Sequence, residues 1–191
     1  MIDTVSLASV PALPWRNGGG TTQELLAWPA PADWALRISV ARIDSDGPFS
    51  AYPGIERWFA VVQGEGVVLR FKSRRVLLGA GGAPIRFEGE NPPQCKLLAG
   101  ATSDLNLMVR IDAGRGNLMP AAAGAEWHSP AAWRAVFTMD AAQWLIDDRD
   151  AARLEPGTLG WSAQASDQRW RLAAGGTPLR AWWLQFKALK P

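Results

Sequence analysis

The stretch from Trp15 to Leu25 is the part of the sequence best suited to contact a ligand. It reads Trp-Arg-Asn-Gly-Gly-Gly-Thr-Thr-Gln-Glu-Leu, so three consecutive glycines are flanked by residues that can donate hydrogen bonds. Glycine permits positive φ angles and a close approach of the backbone to a ligand. No Lys-Ser or Lys-Thr pair follows the glycines, which disfavours a phosphate-binding loop. Two interpretations stay open: a tight turn into a threonine-rich strand, or a loop whose N–H groups face a carboxylate.

A second candidate is Arg57, which follows a Tyr-Pro-Gly corner at residues 52–54 and precedes an apolar segment at residues 58–62. An arginine that enters such a strand must pair with an acid or a ligand, or reach water. Glu24 and Glu56 are the candidate partners within the protein. Capture of a ligand carboxylate is the alternative.

Two predicted strands carry polar residues at alternate positions. Arg37 and Ser39 interrupt one apolar alternation, and Asn106 and Met108 interrupt another. In an open sandwich such faces are solvated, whereas in a jelly roll they line the interior, where ligands bind. An amide beside a soft apolar side chain suits a small polar organic ligand.

The candidate acid–base residues include no pair whose spacing predicts shared catalysis. They are Glu24, Tyr52, Glu56, Cys95, Asp104 and His128. His128 is the only histidine, so the sequence lacks two- and three-histidine metal sites and a second histidine for a catalytic triad. We therefore expect neither a metal nor a cofactor.

Short segments with period-2 alternation predict an all-β chain. Residues 34–40 and 105–111 alternate apolar with other side chains, and turn signals such as Asp-Gly-Pro at 46–48 separate such segments. Many short strands with frequent turns favour a sandwich or a barrel. The helical expectation is limited to a short turn at residues 129–133, with a possible extension at residues 141–144.

The aromatic composition is unusual, with 11 tryptophans and one tyrosine. We expect the tryptophans mainly to fill the space between sheets, since large rings dominate such cores. Trp15 and Trp58 are the better candidates for a ligand pocket, because both neighbour the polar motifs.

Length and charge narrow the class of protein. The 191 residues suit one compact domain or two small halves, and 20 basic residues against 18 acidic ones leave no strongly basic surface for nucleic acid. The single cysteine, Cys95, cannot form an intramolecular disulfide, and no apolar run approaches the roughly 20 residues of a membrane helix. We expect a soluble cytoplasmic protein that binds neither nucleic acid nor membrane.

Three motifs, taken in order, resemble the HutD/Ves family of cupins. They are Trp-Arg-Asn-Gly-Gly-Gly-Thr-Thr at 15–22, Asp-Gly-Pro-Phe-Ser and Tyr-Pro-Gly-Ile-Glu-Arg within 46–57, and Phe87-Glu88-Gly89 leading to Asp104–Met108. The likeness extends over about residues 5–112, with Glu88 standing where the family usually has an aspartate. The positions of the usual cupin metal ligands are apolar here: Pro53 and Ile55 replace the histidines, and Phe59 or Ala60 replaces the glutamate.

The resemblance implies a bicupin, in which two packed jelly-roll, cupin-like β-barrels form one compact unit without the usual metal ligands. The glycine-containing stretch that starts at Gly114 is the best boundary, giving an N-terminal unit at 1–113 and a smaller C-terminal unit at 114–191. Family members encoded with histidine-utilisation enzymes are thought to restrain expression of that pathway. Relatives of the Ves type are associated with stress responses, and no enzymatic activity is established for the family.

We therefore expect a metal-independent protein that senses or sequesters a short carboxylate, such as N-formylglutamate or urocanate, and modulates histidine utilisation. The alternatives are a metal-independent enzyme with Glu24 or Glu56 as general base, and a stress-related regulator that binds another protein. A homodimer is also expected, since jelly-roll proteins often pair through edge strands. The residues expected to bind the ligand are Trp15, Asn17, Gly19, Gly20, Thr21, Thr22, Glu24, Arg37, Ser39, Phe49, Arg57, Asn106 and Met108.

Overall fold

The computed structural model describes residues 2–175 and 178–189, and their regular structure is almost all β-strand, with a short 3-10 helix at Leu7–Ser9. The strands of the first half are β1 (Asp3–Ser6), β2 (Leu13–Pro14), β3 (Gly20–Trp28), β4 (Leu36–Ile43), β5 (Gly47–Pro48), β6 (Ile55–Gln63), β7 (Val67–Arg70), β8 (Arg75–Leu78), β9 (Ile85–Glu88), β10 (Gln94–Leu97) and β11 (Thr102–Arg110). Those that follow are β12 (Gly114–Pro120), β13 (Glu126–Trp127), β14 (Trp133–Thr138), β15 (Ala142–Ile146), β16 (Arg149–Leu154), β17 (Thr158–Ser162), β18 (Trp170–Ala173) and β19 (Ala181–Ala188).

The chain divides into two units at a different place from the predicted one. Residues 10–116 and 188–189 form the N-terminal unit, and residues 2–9, 117–175 and 178–187 form the C-terminal unit. The first residues join the C-terminal unit because β1 pairs antiparallel with β17, with Val5 opposite Leu159. This backbone pairing joins segments far apart in sequence, so no local composition signal marks it.

The N-terminal unit contains two antiparallel sheets, with strand orders β2-β3-β4-β11-β6-β9 and β5-β10-β7-β8. The order is not sequential, because β11 lies between β4 and β6 in the first sheet. On both sides β11 therefore pairs with a strand whose side chains also alternate between the two faces of the sheet. In a sheet, residues two apart on one strand share a face, so the register decides which side chains meet.

Register aligns polar residues of three strands into cross-strand rows on one face. Arg37 of β4, Met108 of β11 and Arg57 of β6 form one row. Ser39 and Asn106 lie opposite each other in the next row. On this same face, the strands continue into apolar residues that pack with the second sheet's side chains. That cluster consists of Ile43, Phe59, Val61, Val67, Leu69, Leu78, Phe87 and Cys95.

The other face of these strands is aliphatic and also buried. Leu36, Ile38, Leu105, Leu107 and Val109 are all fully buried. Ile111, which the alternation placed on this face, is half exposed, because β11 ends at Arg110.

The C-terminal unit also contains two antiparallel sheets, of strand orders β1-β17-β14-β19-β12 and β13-β18-β15-β16. Its core is built around tryptophans, as expected from the composition. Trp170 lies with its ring centroid 4.6 Å from that of Trp144 and 5.6 Å from that of Trp127, which stacks on Trp183 at 4.9 Å. Gly160 makes room for them, since a Cβ there would come within 2.7 Å of the Trp144 ring.

The expectation of a helical turn near residues 141–144 is wrong. Ala142 and Trp144 are buried while Gln143 between them is only half-buried, so the segment follows the two-residue period of strand β15. Burial of the Trp144 ring outweighs the helix preference of the alanines. Within the described residues, no helix has the length and apolar character needed to cross a membrane.

Candidate functional site

A cavity of about 520 Å³ opens in the N-terminal unit on the face that carries the polar rows. Its volume lies within the range typical of small-molecule sites. Aromatic and apolar walls surround a small set of charged and amide groups. The lining residues are Pro14, Trp15, Arg16, Asn17, Thr22, Arg37, Ser39, Ala41, Pro48, Phe49, Ser50, Tyr52, Arg57, Asp104, Asn106 and Met108.

Arg57 is a buried cation whose partners are mostly uncharged. Its side chain is only 7% exposed, and its Nη2 donates a hydrogen bond of 2.8 Å to Oδ1 of Asn106. The guanidinium lies against the rings of Phe49, Phe87 and Tyr52 at 5.2–5.6 Å. Burial lowers the pKa of Arg57, which the negative charge of Asp104 opposes.

Neither glutamate considered for Arg57 is its partner. In the part of the chain that the structure describes, no carboxylate lies within ion-pair distance of this guanidinium, and its Nε has no hydrogen-bond partner. Glu56 is turned to Arg86, with an Nη1–Oε2 distance of 2.7 Å, and accepts a hydrogen bond from Nε1 of Trp58. The buried charge therefore has room for an anionic ligand.

Arg37 brings a second cation to the same row. Its guanidinium packs on Trp34 at 5.3 Å and on Tyr52 at 5.7 Å, and Nη2 contacts Sδ of Met108 at 3.1 Å. Its Nε lies 3.7 Å from Oε2 of Glu24, which is itself exposed and does not line the cavity. Arg37 is close enough for its charge to lower the pKa of Arg57. Two cations thus lie 5.7 Å and 5.6 Å from the centre of the Tyr52 ring.

Asp104 supplies a carboxyl group at the buried end of these rows. It is 1% exposed, and its Oδ1 accepts a hydrogen bond from Nδ2 of Asn106, while Oδ2 has no partner. Burial raises the pKa of Asp104 to about 7, although the Arg57 charge and the Asn106 hydrogen bond act in the opposite direction. At neutral pH this group is therefore divided between its neutral and ionised forms.

The glycine-rich stretch forms one wall of the cavity through its side chains. Trp15 donates from Nε1 to Oγ1 of Thr22 at 2.7 Å, and its backbone N–H donates to the Gly20 carbonyl oxygen at 2.9 Å. Oδ1 of Asn17 accepts a hydrogen bond from the Gly19 N–H at 3.1 Å. The stretch is thus a tight turn into β3 that also places Trp15, Asn17 and Thr22 at the cavity.

Gly19, Gly20 and Thr21 do not line the cavity. The Gly19 carbonyl accepts hydrogen bonds from Asp44 and Ser45 backbone N–H groups, and Thr21 pairs with Pro14 in β2. In one of the two interpretations of this loop its N–H groups face a carboxylate, but the Gly19 N–H donates to Oδ1 of Asn17. These positions shape the turn, and the ligand-facing groups come from their neighbours.

Gly20 is required by the close approach of β4. A Cβ at this position would lie 2.1 Å from the Arg42 carbonyl oxygen, whereas a Cβ at Gly47 would meet nothing within 4 Å. Substituting Gly20→Ala should lower the free energy of unfolding by about 1–3 kcal/mol through overpacking. Urea unfolding measures the change, with Gly47→Ala as the matched control. Equal stability of the two variants would contradict this account of Gly20.

A comparison with known protein families shows to which family this chain is related. A family model described as HutD matches residues 7–179. The chain belongs to the HutD family. The match confirms the resemblance inferred from the three motifs of the N-terminal half.

Curated relatives of this HutD-family chain are similar over part of their length. The 21.2 kDa protein of the hutC 3′ region of Pseudomonas putida is 35% identical over 116 residues, covering 56% of this chain and 58% of the relative. Protein Ves of Cronobacter sakazakii is 34% identical over 113 residues, covering 54% and 58%. The chain thus spans about 58% of the length of these curated relatives.

Solved structures extend the likeness over the whole fold. HutD from Pseudomonas fluorescens SBW25 has a TM-score of 0.85 at 22% identity, with both chains covered completely. Oxalate decarboxylase of Bacillus subtilis has a TM-score of 0.64 at 10% identity, covering 98% of this chain and 78% of that one. The predicted all-β, cupin-like fold is therefore confirmed.

The cavity of this HutD-family protein does not fit a divalent cation. That oxalate decarboxylase is described as having Mn(II) centres, and oxygen or imidazole ligands would be needed for such an ion. Here one carboxyl and two amides share the cavity with three arginines, whose charges oppose a cation. Among the described residues, no three His, Cys, Asp or Glu side chains cluster.

Several cavity residues were not among those expected to bind ligand. Asp104 stands two residues before Asn106 and four before Met108, so the same alternation placed all three on one face. Tyr52 is predicted from the sequence only as a candidate acid–base group, and no local signal places its ring against Arg37 and Arg57. Arg16 is adjacent to Trp15 in the matched motif and lines the cavity with it.

Proposed function

We propose that this HutD-family protein binds a short organic carboxylate in the cavity of its N-terminal unit. The observation that carries the proposal is the row in which Arg37 and Arg57 flank Met108 inside that cavity. A guanidinium binds a carboxylate through two parallel hydrogen bonds, and a buried cation gains most from such a partner. An anion would also relieve the repulsion between the two arginines.

The shape of the cavity supports an organic ligand with a short carbon chain. Trp15, Phe49, Tyr52 and Met108 provide apolar walls, while Ser39 and Asn106 provide neutral polar groups. A few polar groups set among apolar walls fix the orientation of a small ligand. N-formylglutamate and urocanate each carry a carboxylate and a further polar group, so both suit this lining.

A role in histidine utilisation is part of the proposal. The relative from P. putida is named by the hutC 3′ region, and the protein from P. fluorescens is named HutD. We infer that ligand binding here senses or sequesters an intermediate of that pathway. Isothermal titration calorimetry with N-formylglutamate, urocanate and glutamate tests the ligand class, and no heat from any of them at millimolar concentration would refute it.

Arg57→Ala should weaken binding of the tightest of these acids by about 10- to 150-fold, the loss expected for a charge-assisted hydrogen bond of roughly 1.5–3 kcal/mol. Arg42→Ala is the matched control, since Arg42 lies on β4 but pairs with Asp44 at 2.8 Å outside the cavity. Calorimetry on folded samples of both variants provides the comparison. Unchanged affinity in Arg57→Ala would show that this arginine serves only the fold.

A metal-independent enzyme is the second candidate, and Asp104 is the observation in its favour. An acid–base catalyst works best when its pKa lies near the working pH, and the pKa of Asp104 is raised to about 7 by burial. Asp104 replaces Glu24 and Glu56 as the candidate general base, because neither glutamate lines the cavity. Turnover of one of the three acids in the presence of a chelator, lost in Asp104→Asn, would favour this candidate.

A further inference from the structure

Asp104 is the one carboxyl among the described residues that line the cavity. Its Oδ1 is engaged by Asn106, whose own Oδ1 accepts from Arg57, so a chain of hydrogen bonds joins the acid to the arginine. Its Oδ2 is buried and has no hydrogen-bond partner. A buried polar atom without a partner, at the edge of a cavity, marks a place where a ligand atom would complete a hydrogen bond.

The surroundings of Asp104 hold few groups that could stabilise its charge. Its cross-strand neighbours are Ala41 on β4 and Val61 on β6, which are apolar. The positive charge of Arg57 favours the ionised form of Asp104, and Asn106 links the two side chains by hydrogen bonds. The other titratable groups on this side of the sheet or facing it are Arg16, Arg37, Tyr52, Cys95 and Asp46.

Cys95, from β10 of the second sheet, adds no charge at neutral pH. Burial, together with the charges of Asp104 and Asp46, raises the pKa of its thiol to about 12. The ionisation of Asp104 is therefore set by its own burial and by the cations of the cavity. A bound anion would add a negative charge to that cavity and would disfavour the ionised form of Asp104 further.

We propose that the cavity takes up its carboxylate ligand together with one proton, which resides on Oδ2 of Asp104 and is donated in a hydrogen bond to a ligand oxygen. The inference rests on the proposed carboxylate-binding function and adds the group that recognises a second oxygen. In the neutral form Asp104 is a donor, and both arginine charges remain available to the ligand. In the ionised form it competes with the ligand for Arg57 and repels it.

Proton uptake fixes how affinity must depend on pH. Because ligand and proton binding are linked, each favours the other by the same factor. The affinity for an anion should therefore fall as pH rises above the pKa of free Asp104, approaching tenfold per pH unit. An ionised Asp104 that accepted a ligand N–H group would give the opposite dependence, with affinity rising with pH.

The test is calorimetry with N-formylglutamate from about pH 6 to about pH 9, a range in which its carboxyl groups stay ionised. Each titration is run in HEPES and in Tris, which have different ionisation enthalpies and lack a phosphate or carboxylate group that would compete for the arginines, because the difference in heat between buffers gives the number of protons taken up. We expect uptake to approach one proton at the alkaline end, with affinity falling close to tenfold per pH unit. Buffer-independent heats, proton release or affinity rising with pH would overturn the inference.

The variant Asp104→Asn separates the effect of the proton on ligand affinity from the effects of the other cavity residues. The amide can keep its oxygen toward Asn106 and present N–H to the ligand, so it mimics the neutral acid. We expect this variant to bind without proton uptake and with affinity that does not change with pH. Asp44→Asn, an exposed carboxyl outside the cavity, is the control and should keep the wild-type behaviour.

The outcomes distinguish this inference from the function on which it rests. If wild-type protein gives no heat with N-formylglutamate, urocanate or glutamate, the carboxylate-binding function fails and the inference fails with it. If wild-type protein binds with an affinity that rises with pH and Asp104→Asn loses affinity at the alkaline end, the ligand is bound by ionised Asp104 and only the inference fails.

Discussion

The wild-type protein is expected to lose about 4 kcal/mol of unfolding free energy through Asp104 as pH rises from about 4 to about 8. Burial raises the pKa of this carboxyl from 3.8 to about 7. Between these values the unfolded chain releases the proton while the folded protein retains it. The folded state then binds more protons, so stability falls with rising pH and levels off above the folded pKa.

Asp104→Asn should remove this dependence. The amide stays neutral throughout, so wild type and variant should be similar near pH 4 and the variant should be more stable near pH 8, by about 4 kcal/mol. Urea unfolding at several pH values measures both proteins, and the difference between the two curves isolates Asp104 from every other titrating group. Other carboxyls, such as Asp140 beside Arg180, act in the opposite direction and cancel in this difference.

Asp44→Asn is again the control, because its carboxylate is exposed and bonded to Arg42. Asp44→Asn keeps Asp104, so it should keep the loss of stability that Asp104 causes between about pH 4 and about pH 8. A constant difference between wild type and Asp104→Asn across the whole range would show that Asp104 is ionised in the folded protein at all these pH values. That result would also remove the neutral donor invoked for ligand binding.

The rows of the cavity could be predicted where strand alternation alone decides which face a side chain takes. Arg37 with Ser39, and Asn106 with Met108, were placed on common faces by their spacing, and antiparallel register brings the two pairs together. The sequence did not show that β11 lies between β4 and β6. The hydrogen bond between Arg57 and Asn106 therefore had no signal in the sequence, which offered Glu24 and Glu56 as partners of Arg57.

The position of Glu24 could not be predicted from strand alternation, because the pairing of its strand is locally irregular. It lies opposite Ser39, yet a shift in register between Glu24 and Leu26 disturbs the regular pairing of β3 with β4. Its side chain is 42% exposed, and Oε2 lies 3.7 Å from Nε of Arg37. A bulge adds a residue to one strand and changes the direction of the following side chains, and it has no reliable sequence signature.

The number of tryptophans predicted that they would fill a protein core, but it did not predict which of the two units would contain that core. The N-terminal unit keeps polar rows and a cavity on its inner face, while four tryptophans of the C-terminal unit pack together. Both units have the same sequence pattern of short strands separated by turns. The difference lies in side-chain volume at inward positions, which becomes visible only once the register assigns those positions.

Trp170→Ala is expected to lower the free energy of unfolding by about 3–5 kcal/mol. The ring is fully buried, touches Trp127, Trp144 and Trp183, and carries the Arg134 guanidinium at 4.6 Å from its centroid. Truncation leaves a void that rigid neighbouring rings cannot fill, and it removes the aromatic face under a buried cation. Denaturant unfolding, followed by circular dichroism, measures the loss.

Two further substitutions identify the cause of that loss. Trp170→Phe should cost less, because it keeps an aromatic face and removes an indole Nε1 that has no hydrogen-bond partner. Trp161→Ala, at a half-buried position on β17, should also cost less, since water can occupy the space it leaves. If all three variants lost the same free energy, the loss at Trp170 could not be assigned to its packing.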